Sequence, residues 1–455
     1  MVCPIFKKGA KSDPGNYRPV SLTCVVGKVM ESILVDALIS HMVTNKLLRA
    51  SQHGFLPGKS TVTCMLEYLE TLTRWMDEGR SFDVLYCDFA KAFDKVPWER
   101  LLAKLEGLGV GGDLLGWVRV WLTGGRQQSV VLNGKQSSWG EIVSGVIQGS
   151  CLGPALFLVF INDIDTAVDL TSSFLSKFAD DTKMASIVET EEDRKKFQAG
   201  VDGLATWSKD WQLLFNVGKC KVMHFGARNN KFNYTMDGVR LEEVEVEKDV
   251  GVLVASNLRP SQQCSAAAGK ANGVLGQISR AVSYRDKKTF VQLYKVYVRP
   301  HLEYCIQAWS PYWKADKEKL EKVQRRAVNM VAGLKGKTYE DKLKEVGLTS
   351  LEERRNRGDM IQTFKIIHGL DNVDVGTWFK MAGDRAREGA VNTRQSRDIT
   401  RLVEGESHYE NRRNFFSQRV PSRWNSLPET TRQQTTVLGF KAAYDGTTLR
   451  HTGQP

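Results

Sequence analysis

The placement of acidic residues at the ends of apolar stretches constrains this chain more than any other feature. Residues 82–87 form an apolar run typical of a buried strand, and Asp88 follows it directly. Residues 173–185 contain two short strand-like stretches around Asp180 and Asp181, which predict a hairpin with both acids at its tip. We expect all three acids to reach one cleft.

Carboxylates that share a cleft repel one another unless cations neutralise them. Aspartate oxygens suit Mg²⁺, and two such ions can activate an attacking hydroxyl and stabilise a leaving phosphate. An Asp-Asp dipeptide alone is more often a solvated turn, so the prediction also depends on the segment between the acids. There, residues 144–154 form a glycine-rich turn into an apolar helix, and we expect its glycines to allow close approach of a nucleotide or template backbone.

The positive charge of the chain is concentrated in one block. Of the net +12, residues 256–335 contribute +10 from 15 basic and 5 acidic side chains, whereas residues 1–255 contribute −2 and residues 336–455 contribute +4. This concentration is typical of a surface that binds a phosphate backbone, and a solvated basic surface is the alternative.

Two predicted amphipathic helices in this block separate basic from apolar residues. The basic residues are Lys288, Lys295 and Arg299 in the first helix, and Lys319, Lys322 and Arg326 in the second. The apolar residues are Phe290, Leu293, Tyr294 and Tyr297 in the first helix, and Leu320, Val323, Ala327 and Met330 in the second. We therefore favour nucleic-acid contact by these helices.

Composition and cysteine spacing argue against several other classes of protein. Hydrophobic residues make up 42% and charged residues 25% of the 455 positions, which is typical of a globular protein of about three domains. No apolar run approaches the roughly 20 residues of a membrane span, and no signal sequence is evident. We expect an intracellular protein, nuclear or cytoplasmic, that is not secreted and has no membrane partner. The eight cysteines include no C-x-x-C pair, so neither a zinc knuckle nor a disulfide framework is expected.

An ordered series of motifs accompanies the acids. They are NYRPVSL at 16–22, QHGFLPGKST at 52–61, DFAKAFD at 88–94, GVIQGSCLGP at 145–154, FADD at 178–181, NVGKC at 216–220, DVGV at 249–252, RPHLEYC at 299–305 and NFFSQRV at 414–420. In this order and spacing the chain resembles the reverse transcriptases of non-LTR, LINE-type, jockey-like retrotransposons over nearly its whole length.

The resemblance implies a set of catalytic residues. Asp88, Asp180 and Asp181 would bind two Mg²⁺ ions, which Mn²⁺ could replace, and the backbone carbonyl of Phe89 would help to hold one metal. Lys219 would protonate the departing pyrophosphate.

The resemblance also implies a set of nucleotide-binding residues. Phe93 would act as the steric gate that excludes a ribonucleotide 2′-hydroxyl and so selects dNTPs, although an ordinary core phenylalanine is the alternative. Arg18 and Lys8 would contact the incoming triphosphate, with ordinary surface cations as the alternative. Gln148 would pack beside the nucleotide.

The fold implied is an α+β right-hand polymerase with a ferredoxin-like palm. We expect fingers and palm at 1–255, a helical basic thumb at 256–335 and a retroelement-specific segment at 336–455. The upstream endonuclease of full elements is not present before the first finger motif, so the chain resembles an N-terminally truncated copy.

The function implied is RNA-directed DNA synthesis, with an RNA template, a DNA primer and dNTPs as partners. Ile147 and Leu56 stand where the family usually has Pro and Arg, and both departures could reduce activity. One alternative is therefore a degenerate fragment that only binds RNA or RNA–DNA duplex. A two-metal nuclease is a second alternative, but Phe93, Gln148 and Arg18 have no role in it.

Overall fold

A computed structural model describes residues 1–7, 9–382 and 400–451 of the chain. The strands are β1 (Val2–Phe6), β2 (Tyr17–Ser21), β3 (Phe82–Cys87), β4 (Gln127–Gln128), β5 (Val131–Leu132), β6 (Lys135–Gln136), β7 (Gly140–Glu141), β8 (Ser173–Phe178), β9 (Asp181–Ile187), β10 (Lys221–Phe225), β11 (Thr235–Met236), β12 (Val239–Arg240), β13 (Glu242–Glu243), β14 (Val246–Asp249) and β15 (Val252–Ala255).

The α-helices up to residue 367 are α1 (Val25–Thr44), α2 (Thr61–Asp77), α3 (Trp98–Gly107), α4 (Gly112–Thr123), α5 (Leu152–Ile161), α6 (Glu191–Asp210), α7 (Ser261–Ala281), α8 (Lys287–Leu293), α9 (Arg299–Glu303), α10 (Ile306–Trp309), α11 (Lys314–Asn329), α12 (Tyr339–Val346) and α13 (Leu351–Ile367). Towards the end of the chain lie α14 (Glu410–Arg413), α15 (Phe416–Arg419), α16 (Pro421–Asn425), α17 (Glu429–Arg432) and α18 (Val437–His451). This mixture confirms the predicted α+β class. In the part of the chain that the structure describes, no helix combines the length and the hydropathy needed to cross a bilayer.

The chain forms two compact units. The first consists of Met1–Leu56 and Ser81–Val244, and the second of Pro57–Arg80 and Glu245–Pro455. Helix α2 therefore belongs to the second unit although it lies early in the sequence. The predicted division into segments at 255/256 and 335/336 stays a prediction.

The first unit is built on a five-stranded sheet in the order β13-β10-β3-β9-β8. The pairs β10–β3, β3–β9 and β9–β8 are antiparallel, whereas the short β13 lies parallel to β10. In chain order, β3 is followed by α3, α4, the short strands β4–β7 of other sheets and α5, then by the β8–β9 hairpin, then by α6 and β10. This is the β-α-β-β-α-β arrangement of a split βαβ fold, so the predicted ferredoxin-like sheet is confirmed.

Helix α5 lies at the centre of the first unit's core. All its residues except Pro154 are buried, as expected for a helix that is apolar on every side. The carboxylate of Glu31 in α1 accepts hydrogen bonds from the backbone N–H groups of Cys151 and Leu152, at 2.7 and 3.3 Å. A negative charge at this end satisfies the free amides and complements the helix dipole, so Glu31 fixes where α5 begins.

The second unit is mainly helical. Helix α7 packs against α11 and against β15, and α13 packs against α18. In α11 the predicted inner residues Leu320, Val323 and Ala327 are buried. The 16-residue helix therefore has the amphipathic arrangement that its sequence predicts.

One prediction for the second unit is wrong. Tyr297 was expected on the buried face of a helix over 287–299, but it is 56% exposed and Val298 is buried instead. The helix is interrupted by a π-helical turn over Tyr294–Val298. Because a π turn contains an additional residue, it shifts the buried face by one position.

Candidate active site

The register of the central strands brings Asp88 to the acid pair. Strands β3 and β9 pair from Phe82↔Ile187 to Cys87↔Thr182, and the next residues on the two strands are Asp88 and Asp181. Neighbouring strands lie about 4.7–4.9 Å apart. The predicted convergence of the two chain segments is therefore present at the backbone level.

The hairpin that carries the acid pair differs from the prediction by one residue. Phe178 pairs with Asp181, so the two-residue turn consists of Ala179 and Asp180, and Asp181 is the first residue of β9. Ala179 adopts the left-handed conformation with φ of +58°. Of the two acids, only Asp180 lies in the turn, because Ala179 occupies the other turn position and Asp181 already belongs to β9.

A buried glutamine that the sequence interpretation did not single out supports this turn. The Gln52 side-chain oxygen accepts hydrogen bonds from the backbone N–H groups of Ala179 (2.9 Å) and Gly54 (2.7 Å). Gly54 is required here because a Cβ at this position would lie 2.5 Å from the Ala179 nitrogen. The motif QHG at 52–54 was the available signal, and Gln52 positions the turn that carries Asp180.

Opposing effects act on the pKa of the Asp180 carboxyl group. Burial raises the pKa of its carboxyl group, and the negative charge of Asp88 raises it further. The positive charges of Arg18 and Lys7 act in the opposite direction. Arg18 is exposed on β2, opposite Ile5 of β1. Its charge is near enough to affect the pKa of Asp180, and its contact with the triphosphate stays a prediction. Lys8, its predicted companion, lies outside the described residues.

Lys219 lies next to Asp88. Its Nζ atom is 3.2 Å from Oδ2 of Asp88, and both side chains are well exposed. The backbone N–H of Asn216 donates to the carbonyl of Asp88 at 2.7 Å, which fixes the segment 216–220 against the end of β3. The structure thus brings together a carboxylate and a lysine that the sequence places 131 residues apart.

The three aspartates have the oxygen donors that Mg²⁺ prefers. The influence of Asp88 on the pKa of Asp180 shows that their charges repel one another, which a bound cation would relieve. However, no three His, Cys, Asp or Glu side chains among the described residues are gathered closely enough to hold a metal ion. The carboxylate of Asp88 is directed at Lys219 instead. The carboxylates of Asp88, Asp180 and Asp181 are therefore suitable ligands for a divalent ion, and the strand register places their backbones at one end of the sheet. To bind the same ion, these side chains would have to rotate from the conformations seen here.

Phe89 continues the chain beyond Asp88. Its ring is buried and stacks on Phe215, with ring centroids 4.3 Å apart. This packing fixes the backbone at the position where the Phe89 carbonyl was predicted to assist a metal.

Phe93 and Gln148 lie in adjacent parts of the first unit. The half-buried ring of Phe93 stacks on Phe157 of α5 at 4.5 Å and contacts the edge of Phe55 at 6.4 Å. Gln148 donates through Nε2 to Asp94, the neighbour of Phe93, at 2.9 Å. The two predicted nucleotide-binding residues are thus connected through Asp94.

The glycines of the 144–154 turn serve the protein's own backbone. A Cβ on Gly145 would lie 2.6 Å from the carbonyl oxygen of Asp94, and a Cβ on Gly149 would lie 2.4 Å from that of Ser21. Both have positive φ, of +86° and +107°. Within the chain these two glycines therefore lie against the backbones of Asp94 and Ser21, and close approach of a nucleotide or template stays a prediction.

The six basic residues predicted to bind nucleic acid fall into two groups. Arg299, Lys319 and Arg326 contact Glu303 (3.6 Å), Asp316 (3.0 Å) and Asn272 (3.2 Å) respectively. Within the described residues, Lys288, Lys295 and Lys322 have neither a side-chain hydrogen bond nor an ion pair. Lys288 and Lys322 are exposed and Lys295 is half-buried, and contact of these lysines with nucleic acid stays a prediction.

Solved structures show a weak overall likeness. Apo telomerase from Candida tropicalis aligns with a TM-score of 0.41 and 9% identity, over 69% of this chain and 51% of that one. The RNA-dependent RNA polymerase of a human picobirnavirus aligns with a TM-score of 0.34 and 14% identity, over 76% and 65%. We draw no conclusion from likeness at this level.

Sequence relatives are more informative. The RNA-directed DNA polymerase from mobile element jockey of Drosophila funebris is 24% identical over 343 residues, 72% of this chain and 37% of the relative. The probable RNA-directed DNA polymerase from transposon X-element of Drosophila melanogaster is 25% identical over 345 residues, with 73% and 37% covered. The chain thus spans little more than a third of the length of these relatives. Residues 5–253, more than half of the chain, match the family described as reverse transcriptase (RNA-dependent DNA polymerase). The predicted resemblance is confirmed, and the chain belongs to the reverse transcriptase family.

Proposed function

We propose that this chain is an RNA-directed DNA polymerase that adds dNTPs to a primer 3′-hydroxyl on an RNA template, as part of a non-LTR retrotransposon. The observation that supports the proposal is the register of β3 and β9, whose last pair, Cys87↔Thr182, lies one residue from Asp88 and Asp181 at one end of the ferredoxin-like sheet. These residues lie within the part of the chain that matches the reverse transcriptase family. Polymerisation by two metal ions requires carboxylates from two chain segments near one point, and the backbone register supports this role for Asp88 and Asp181.

Reverse transcriptases depend on divalent metal ions in general. Two Mg²⁺ ions held by Asp88, Asp180, Asp181 and the Phe89 carbonyl would supply activation of the 3′-hydroxyl and charge stabilisation at the phosphate. The residues themselves prepare the site: Gln52 fixes the turn of Asp180, and Asn216 fixes the end of β3. Lys219, once its Nζ leaves Asp88, is placed to give a proton to the departing pyrophosphate.

Substrate selection rests on Phe93. Its stacking on Phe157 gives the ring a rigid position, and a rigid wall is what excluding a 2′-hydroxyl by shape requires. Gln148 restrains the adjacent Asp94, and Arg18 provides a positive charge near the acids for the triphosphate.

Primer extension with the full chain tests this function. On poly(rA) with an oligo(dT) primer and Mg²⁺ or Mn²⁺, we expect template-dependent incorporation of dTTP. Asp180→Asn should lower the rate at least about a hundredfold, because even residues that only support metal ligands cost 10–100-fold. Asp210→Asn, at an exposed position at the end of α6, is the matched control and should leave the rate unchanged. Absence of incorporation by the wild-type chain, or an Asp180→Asn rate equal to wild type, would overturn the proposal.

A further inference from the structure

The second unit contains a basic cavity of about 340 Å³ that no part of the proposed polymerase reaction uses. Residues of α9, α10, α13 and α18 line it. Its charged lining consists of five cations and one carboxylate: Arg354, Arg355, Arg357, Lys365, Lys441 and Glu303. The volume is in the range of sites for small ligands.

Three of the five cations are compensated within the chain. Arg354 pairs with Glu303, with Nη2 donating to Oε2 at 2.8 Å. Arg357 makes a two-point pair with Asp445 at 2.7 and 2.8 Å. Lys365 lies 4.0 Å from Asp371. These side chains need no external anion.

The remaining two cations have no such partner. Arg355 is only 5% exposed, yet no described residue gives its side chain a hydrogen bond or an ion pair within 4 Å. Lys441 is half-buried and has no ion-pair or side-chain hydrogen-bond partner in the described ranges. The carboxylates of Glu352, Glu321 and Asp359 act on Arg355 from a distance, but burial outweighs them and lowers its pKa. The cost of burying this charge is therefore only partly offset within the chain, and an anion in the cavity would offset the rest.

A glycine in the middle of α13 keeps a hydrogen-bond donor near the cavity. Gly358 lines the cavity, and a Cβ at this position would lie 3.1 Å from the Nε2 of Gln307. Glycine inside a helix is unfavourable compared with alanine, so its presence favours a packing reason. The glycine leaves room for the Gln307 amide, which also lines the cavity.

We propose that this cavity binds a phosphate group. Two cations without a direct ion pair suit the charge of about −1.5 to −2 that a terminal phosphate carries at pH 7, and a guanidinium fork fits phosphate oxygens in two-point contacts. The phosphate is either the terminal phosphate of an RNA strand or inorganic phosphate, which share this chemistry. The proposal goes beyond the polymerase reaction and does not depend on it.

Thermal unfolding of the full chain, in phosphate and in chloride at equal ionic strength, tests the proposal. Inorganic phosphate should raise the melting temperature of the wild type. Lys441→Met should weaken phosphate binding about tenfold, as expected for loss of one hydrogen bond to a charged group. Lys335→Met is the matched control, because it removes an exposed lysine of the same unit that lies outside the cavity, and it should not change the affinity for phosphate.

Arg355→Met separates a binding role from a structural one. If the arginine is held in place for an external phosphate, its replacement should abolish the phosphate response and raise the melting temperature in phosphate-free buffer, because a buried charge that the nearby carboxylates only partly offset is removed. An arginine that serves packing alone would give a lower melting temperature, which would count against the proposal.

A labelled RNA oligonucleotide distinguishes the two sources of phosphate. The cavity would be assigned to an RNA phosphate if Lys441→Met binds the RNA about tenfold more weakly than the wild type and if inorganic phosphate competes with the RNA for the wild type. Unchanged RNA binding with a lost phosphate response would assign it to inorganic phosphate. Equal phosphate and RNA binding by wild type and both variants would overturn the proposal. Neither measurement needs dNTPs or divalent metal, so a failed primer-extension assay leaves the result interpretable.

Discussion

The ion pair between Glu70 and Arg412 joins the early helix α2 to the end of the second unit. Arg412 Nη2 donates to Glu70 Oε1 at 2.5 Å, and Ser417 donates to the other carboxylate oxygen at 2.6 Å. Arg412 also donates to Thr73 at 3.1 Å. Glu70 is 2% exposed and Arg412 is 8% exposed, so each charge depends on the other for compensation.

Replacing Glu70 by Gln should therefore destabilise the second unit strongly. Removing one member of a buried pair leaves an uncompensated charge and costs about 3–5 kcal/mol. This is a large fraction of the roughly 5–15 kcal/mol that separates a folded domain from its unfolded state. Replacing both residues by Met should cost far less and could stabilise the unit, because both desolvation penalties disappear together.

Urea unfolding followed by tryptophan fluorescence measures these differences, with separate transitions for the two units fitted separately. Arg413→Met is the matched control, because Arg413 is the exposed neighbour of Arg412 and should change the free energy of unfolding by less than about 0.5 kcal/mol. The reasoning is refuted if Glu70→Gln costs less than about 1 kcal/mol, or if the double variant is as unstable as the single one.

Three further outcomes follow from the site and the basic helices. Phe93→Val should reduce the preference for dNTPs over rNTPs at least about tenfold in primer extension, since the rigid wall is lost, and an unchanged preference would contradict the gate. Replacing Lys288, Lys295 and Lys322 together by Gln should reduce the slope of log K against log salt for RNA binding by about 2–3, and an equal slope would remove these lysines from the interface. Burial and the charge of Asp88 raise the pKa of Asp180 above its unfolded value near 3.9, so the folded chain retains a proton that the unfolded chain releases. As the pH rises from about 4 through the raised pKa, the free energy of unfolding of the wild type should therefore fall relative to that of Asp180→Asn. Urea titrations in which the difference between the two proteins does not change with pH would contradict this.

The central sheet could be predicted because its signals are local. An apolar strand that ends at Asp88 occupies residues 82–88, and the hairpin pattern around Asp180 occupies residues 173–185. The exact turn could not be predicted, because several two-residue turns fit the same alternation of apolar and polar residues. The hydrogen bond from Ala179 to Gln52, which is distant in sequence, selects Ala179 and Asp180 as the turn residues.

Features that depend on distant pairs were not accessible from one sequence. Nothing near Glu70 indicates that its partner lies 342 residues later. The π turn at 294–298 also follows from packing, since the local pattern fits an ordinary α-helix as well. Arg299 was predicted to face solvent for the same reason, and it lies half-buried beside Glu303.

The separation of Glu70 from Arg412 has a consequence for synthesis of the chain. Translation proceeds at about 5–20 residues per second, so the 342 residues between them take roughly 17–70 s to emerge. During that interval the buried side of α2, which includes Leu66, Tyr68 and Leu72, lacks the residues that later cover part of it. The first unit can assemble meanwhile, because its last residue is 244. Helix α2 is therefore the segment of the nascent chain that we expect general chaperones to bind first.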